Sequence, residues 1–121
     1  MTKVSWIIRN FLNYLRRGLV ISALGVIRLS ANLPDTTEGR VIRRQVTKSG
    51  TSIGANYREA NRARSKADFK NKIRICEGET SETQYWLEVV DELRWLTKEE
   101  LKFELKECGE LLAIFTAINK K

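Results

Sequence analysis

Apolar residues recur at steps of three and four positions along almost the whole chain, which is the spacing of one face of an α-helix. This pattern predicts four helices, over about residues 4–32, 37–63, 65–96 and 98–119. Pro34 separates the first two, because proline disfavours helix at the residue before it. Four amphipathic helices with short connections predict an all-α fold, an antiparallel up-and-down four-helix bundle.

Helix starts are marked by pairs of residues three positions apart, in which each side chain can bind the other residue's backbone N–H. Such capping boxes are predicted for Asp35 with Glu38, Ser65 with Asp68, and Thr97 with Glu100.

Two features of the apolar pattern predict packing between helices. Gly50 and Gly54 lie inside the second predicted helix, where each costs about 1 kcal/mol relative to Ala. We expect them to allow close approach of another helix. The third helix has a second apolar stripe beyond the one that a bundle must bury, so this surplus predicts a subunit interface. The second stripe consists of Ile75, Trp86, Val89 and Leu93.

Length and composition limit the possibilities further. A chain of 121 residues predicts a single domain over residues 1–121. Two cysteines, Cys76 and Cys108, are too few for a disulfide framework and are expected to be reduced core thiols. The chain has no His, which removes the commonest general base and zinc ligand. We therefore expect no metal and no cofactor.

Charge is distributed very unevenly along the chain. Residues 40–74 hold eleven Lys and Arg against two acids, a formal charge of +9, whereas residues 75–121 carry −5. A basic block this dense indicates a polyanionic partner. The alternatives are a solvated face that serves solubility, or contacts between subunits.

Five basic residues of the second helix, Arg40, Arg44, Lys48, Arg58 and Arg62, fall within an arc of about 80° opposite its apolar stripe. A basic series on the third helix, Lys66, Lys70 and Arg74, is expected to extend this ridge. Such side chains would neutralise phosphates with little base specificity. The predicted nucleic-acid-binding residues are Arg40, Arg43, Arg44, Lys48, Arg58, Arg62, Lys66, Lys70 and Arg74.

Catalysis is not expected from this sequence. Ser49, Thr51 and Ser52 lie near Lys48 but lack a third group that would orient a nucleophile. The acids at 77, 79 and 82 are more typical of a solvated helix face than of a metal site. A nuclease is the enzymatic alternative. We predict no catalytic residues.

One segment resembles a targeting signal: the uncharged stretch at residues 18–27, which follows Arg16 and Arg17. It is too short to cross a bilayer, and its helical pattern continues on both sides. We expect a cytoplasmic protein without a membrane partner.

Three segments of the chain resemble the bacterial four-helix-bundle family of 23S rRNA intervening-sequence proteins. The pattern Ser-Ile-x-x-Asn-x-x-Glu-Ala is met at Ser52, Ile53, Asn56, Glu59 and Ala60. The order and spacing of the segments make the resemblance specific over about residues 40–96. The segments are RQ at 44–45 with SGTSIGANYREA at 49–60, SKADF at 65–69 with KI at 72–73, and ETQYWL at 82–87.

The resemblance implies a four-helix bundle that assembles as a ring-like homopentamer and has no established enzyme activity. The chain is more distantly similar to the accessory protein of diversity-generating retroelements, a basic pentamer that binds a reverse transcriptase and nucleic acid. The leading hypothesis is thus a non-enzymatic oligomer that binds RNA or another nucleic acid. The alternative is an interaction module whose basic and acidic faces pair between subunits or with a protein partner.

Overall fold

The computed structural model describes residues 2–120, which form four helices and no strand. The helices are α1 (Lys3–Ser30), α2 (Thr37–Ala60), α3 (Lys66–Glu92) and α4 (Lys98–Asn119). Each packs against its neighbours in sequence, and α1 meets α4 along a much smaller contact than the one it makes with α2. The predicted four-helix bundle is confirmed.

The N-terminal caps of α3 and α4 confirm the predicted helix starts to different degrees. Thr97 and Glu100 form the complete capping box of α4. Ser65 caps α3 by accepting from the Asp68 N–H, but the Asp68 carboxylate accepts from the Arg64 N–H instead of returning to Ser65.

The predicted cap of α2 was wrong by one residue. Thr36, not Asp35, is the N-cap, and its hydroxyl oxygen accepts from the Gly39 N–H. Asp35 instead forms an ion pair with Arg40. The sequence pattern of a cap admits both residues, and only the backbone path after Pro34 selects between them.

The third helix ends earlier than its apolar pattern predicted, at Glu92 rather than near Leu96. Arg94 adopts a left-handed conformation with φ of 56°. Its N–H donates to Asp91 O at 3.0 Å, and the Trp95 N–H donates to Val90 O at 3.3 Å. These bonds close the last turn in the way that glycine usually does. Trp95 then packs against the core, so the apolar pattern continues beyond the helix.

The core consists of two apolar clusters with a buried polar layer between them. Leu87, Leu101 and Val46 belong to one cluster, and Ile53 and Phe115 belong to the other. Four buried hydroxyls on α1, α2 and α3 fall between the two clusters, and the Thr83 hydroxyl donates to Ser49 Oγ at 2.9 Å. The hydroxyl residues of this layer are Ser22, Ser49, Thr80 and Thr83.

Gly50 and Gly54 of α2 both lie against α1, as the sequence predicted. A Cβ on Gly50 would lie 2.7 Å from Val26 Cγ1, and one on Gly54 would lie 3.4 Å from Leu19 Cβ. Gly50 is required for this packing, because Val26 is buried and branched at Cβ and so has little freedom to move.

Candidate nucleic-acid interface

The outer face of α2 carries a row of exposed basic side chains. The opposite face is buried through Val46, Ile53 and Tyr57, which fixes the rotation of the helix about its axis. Arg40, Arg44 and Lys48, at steps of four, and Arg58, which falls on the same arc of the helix, therefore point to solvent. We call this row, together with Arg62 in the turn that follows α2, the α2 ridge, and its members are Arg40, Arg44, Lys48, Arg58 and Arg62.

Acids neutralise little of the α2 ridge. Arg40 pairs with Asp35 at 2.9 Å, and both side chains are largely exposed, so this pair is weak. Within residues 2–120 no other ridge residue lies in an ion pair. Burial raises the pKa of Glu79 on α3, and the charge of Glu82 raises it further. The charge of Lys48 lowers this pKa and so partly opposes both effects.

Arg43 occupies a different position from the ridge. Its Nε donates to Ser30 O at 3.1 Å and its Nη2 donates to Leu33 O at 2.8 Å. Ser30 is the last residue of α1, where helix carbonyls lack partners within the helix, and Leu33 lies in the turn that follows. Arg43 thus joins α2 to the end of α1, and a phosphate would have to compete with both bonds.

The basic series of α3 does not extend the α2 ridge, contrary to the sequence-based prediction. Lys66 and Lys70 line a cavity together with Ile114 and Ile118 of α4. The Asn119 side chain of α4 also donates to Lys70 O at 3.2 Å. Helical spacing places Arg74 further round the same side of α3. This series therefore faces the α4 side of α3, and only Lys66, the first residue of α3, lies near the end of the ridge.

Two other basic residues, Arg64 and Lys72, adjoin the end of the ridge in place of the α3 series. Arg64 and Lys72 line a cavity of about 790 Å³ with Arg62 at the turn between α2 and α3. Glu59 and Asp68 lie in the same cavity and offset part of its charge. Helical spacing could have identified Lys72, because it lies one turn before Cys76 on the same side of α3. The Cys76 thiol contacts Ile53 O of α2, so this side of α3 faces α2.

The N-terminal half of α1 adds two further arginines that were not among the predicted binding residues. Arg9 and Arg16 line a shallow cavity with Asn61, which follows the last residue of α2. In the sequence Arg9 stands alone, and Arg16 was considered only with Arg17 as part of a targeting signal. The basic surface therefore curves from α2 onto α1.

The acidic half of the chain contains one deeply buried carboxyl. Glu104 of α4 is 5% exposed, and its Oε2 has no hydrogen-bond partner. A Cβ on Gly25 of α1 would overlap the Glu104 carboxylate. Burial raises the pKa of Glu104 to about 7, Glu107 adds to the increase, and the Ser22 hydroxyl opposes it.

The residues considered for catalysis or metal binding are engaged in other ways. The hydroxyls of Ser49, Thr51 and Ser52 donate to backbone carbonyls of their own helix. Burial raises the pKa of Cys76 and of Cys108 to about 12, which disfavours the reactive thiolate. Among the described residues no group of three His, Cys, Asp or Glu could hold a metal ion.

A large unpartnered apolar face lies on α1. Val20, Ile21, Leu24 and Ile27 form one exposed patch on the outside of the bundle, each at least 43% exposed. The surplus stripe predicted on α3 is smaller than expected, because Trp86 and Val89 pack partly against the core. Within residues 2–120, no helix is both long and apolar enough to cross a membrane.

The protein is thus a small all-α four-helix bundle with one basic outer face and one apolar outer face. The chain belongs to the 23S rRNA-intervening sequence protein family, whose model matches residues 20–117. The crystal structure of a protein of unknown function from the S23 ribosomal protein family of Bacteroides thetaiotaomicron has 34% sequence identity to this chain and a TM-score of 0.81. The match covers 88% of this chain and 98% of the Bacteroides chain. No protein with a curated description matches.

Proposed function

We propose that this protein is a non-enzymatic, cytoplasmic oligomer that binds RNA through the α2 ridge and the basic residues beside it. The observation that carries the proposal is the ridge itself, in which Arg44, Lys48, Arg58 and Arg62 are exposed. Like charges held on one helix face repel one another, and bound phosphates relieve that repulsion. Binding of this kind is independent of sequence and sensitive to salt.

Assembly into a homopentamer is part of the same proposal. The apolar patch on α1 supports self-association, because an exposed apolar face of this kind is typical of subunit contacts. In a ring the ridge would be repeated five times. Weak contacts on each subunit would then add through avidity on one RNA molecule.

The experiment is a salt titration of RNA binding with the intact protein. Fluorescence anisotropy of a labelled single-stranded RNA gives the association constant at several salt concentrations. We expect a variant with Arg44→Ala, Lys48→Ala and Arg58→Ala to bind more weakly. The slope of log K against log salt should be less steep by about 2, since each phosphate contact to a single strand contributes about 0.7.

The matched control removes three exposed lysines from α4. Lys98→Ala, Lys102→Ala and Lys106→Ala change the net charge by the same amount, but on the acidic side of the molecule. Circular dichroism checks that both variants keep their helix content. Equal loss of binding in the two variants would show that net charge matters and the α2 ridge does not.

The second candidate function is an interaction module without RNA. It is favoured by the −5 charge of residues 75–121, which complements the basic segment of residues 40–74. Under this function high salt dissociates the oligomer, because opposite charges hold it together. Under the RNA-binding function high salt releases RNA and leaves the apolar contacts intact. Light scattering at low and high salt separates the two.

A further inference from the structure

A second cavity lies at the end of the bundle where α1 and α3 begin and α4 ends. It has a volume of about 500 Å³, within the range of small-molecule pockets. Three helices contribute its walls: Phe11 from α1, Phe69 from α3, and Ile114 with Ile118 from α4. Its surface is mostly apolar, unlike the charged cavity at the turn between α2 and α3.

The two aromatic rings in this cavity are accessible. Phe11 is 45% exposed, and Phe69 is only partly buried. An exposed aromatic ring can stack on a nucleobase, whatever the base, because every base has a π-face. The rings of Tyr57 and Phe115, in contrast, are fully buried in the core.

Two lysines stand at the same cavity. Lys66 is exposed and Lys70 half-buried, and both belong to the first two turns of α3. Such a cavity is complementary to a nucleotide. The aromatic walls suit the base, which is flat and apolar on its faces, and the ammonium groups suit the anionic phosphates. Neutral apolar ligands would leave the lysines without a role.

The cavity is also connected to the α2 ridge by the chain itself. Arg62 at the end of the ridge and Lys66 at the cavity are four residues apart. Their Cα atoms are therefore separated by at most about 14 Å. Arg64 lies between them in the turn and is exposed. A backbone bound on the ridge can thus continue round the turn to the cavity.

We propose that this cavity binds an unpaired base of a single-stranded RNA, stacked on Phe11 or Phe69, with Lys66 and Lys70 at the flanking phosphates. The inference rests on the proposed RNA-binding function and specifies it. A duplex does not present such a base, because its bases are stacked and paired. The protein would therefore prefer single-stranded segments and remain tolerant of their sequence.

The test compares two oligonucleotides with the same number of phosphates, one an ordinary single-stranded RNA and the other with abasic positions throughout. We expect the intact protein to bind the ordinary RNA about 5- to 150-fold more tightly, which is the affinity equivalent of stacking one base on an aromatic ring. Phe11→Leu and Phe69→Leu should each reduce this ratio towards 1. Binding of the abasic strand should stay unchanged.

The control is the same substitution at another exposed ring. Phe103→Leu on α4 lies outside the cavity and should leave the ratio as it is. Phe69 also packs against the core, so circular dichroism checks each fold. If a phenylalanine variant fails to fold, photo-crosslinking of the wild-type protein to RNA containing 4-thiouridine replaces it. We then expect the crosslinked peptides to contain Phe11 or Phe69.

The outcomes separate this inference from the function on which it rests. If both strands bind equally and the Arg44, Lys48 and Arg58 variant weakens both, RNA binding stands and the base site is refuted. Loss of the oligomer in the Phe11 or Phe69 variants, with the ratio preserved, would mean that a second copy of the chain covers the cavity. If neither strand binds, both proposals fall.

Discussion

The helices α1 and α2 are neighbours in the bundle, yet their outward faces carry opposite chemistry. On α1 the outward positions include Val20, Leu24 and Ile27, whereas on α2 they include Arg44 and Arg58. An exposed apolar patch is relieved by a protein surface, and a row of like charges is relieved by a polyanion. Two adjacent helices of one small bundle thus present an apolar surface and a basic surface side by side.

The helix α1 also makes two very different contacts inside the bundle, one with α2 and one with α4. Against α2 it packs closely, with Val26 against Gly50. Against α4 it makes far less contact, and the buried carboxyl of Glu104 lies opposite Gly25. The α1–α2 contact is therefore sensitive to added volume, and the α1–α4 contact is sensitive to charge.

The largest expected effect comes from placing charge on the outer face of α1. Leu24→Glu together with Ile27→Glu should abolish self-association, because burying two unpaired carboxylates in an interface costs several kcal/mol. Light scattering should then give the mass of one chain. Val41→Glu, at an exposed apolar position of α2, is the control and should keep the native mass. An unchanged mass in the double variant would assign assembly to another face.

Next in size is the effect of pH on the α1–α4 contact. The pKa of Glu104 is raised to about 7 in the folded protein, against 4.5 ordinarily, so the folded state holds this proton more tightly. The free energy of unfolding should therefore decrease as pH rises from about 4.5 to about 7, and level off above. The expected decrease is about 3 kcal/mol.

Denaturant titrations at several pH values measure this decrease. Glu104→Gln should remove most of it and should be more stable than wild type above pH 7. Glu110→Gln, an exposed position on the same helix, is the matched control. A wild-type stability that rises with pH over this range would contradict the prediction.

A smaller effect is expected at the α1–α2 contact. Gly50→Ala gains about 1 kcal/mol of helix propensity but forces a Cβ against Val26, and overpacking of this kind costs about 1–3 kcal/mol. The net result should be a loss of about 1 kcal/mol. Gly109→Ala on α4 meets nothing within 4 Å and should gain about 1 kcal/mol. Thermal unfolding of both variants should show shifts of opposite sign.

The smallest effect lies away from both α1 contacts. Arg94 holds a left-handed conformation at the end of α3, which costs an arginine about 1 kcal/mol more than a glycine. Arg94→Gly should therefore raise the free energy of unfolding by about 0.5–1 kcal/mol. Its RNA affinity should not change. A lower melting temperature would show that the arginine side chain makes a contact that matters more than the strain.

Much of the fold could be predicted from the sequence because its signals are local. The spacing of Ile42, Val46 and Ile53 specifies a helix face, and the Thr97 box marks where α4 begins. The end of α3 was predicted less well, since Trp95 and Leu96 continue the apolar pattern in the core without being helical. A periodic pattern records burial, and burial continues beyond the last helical turn.

By itself the sequence determined the four helices, the outward position of Arg44, Lys48 and Arg58 and the membership of the family. Only the tertiary structure decided which basic residues lie together. It assigned Arg43 to the end of α1, separated Lys70 from the α2 ridge, and left the outer face of α1 uncovered. The physical reason is that periodicity fixes the direction of a side chain about its own helix axis. Which helix lies next to that side chain depends on how the whole bundle packs.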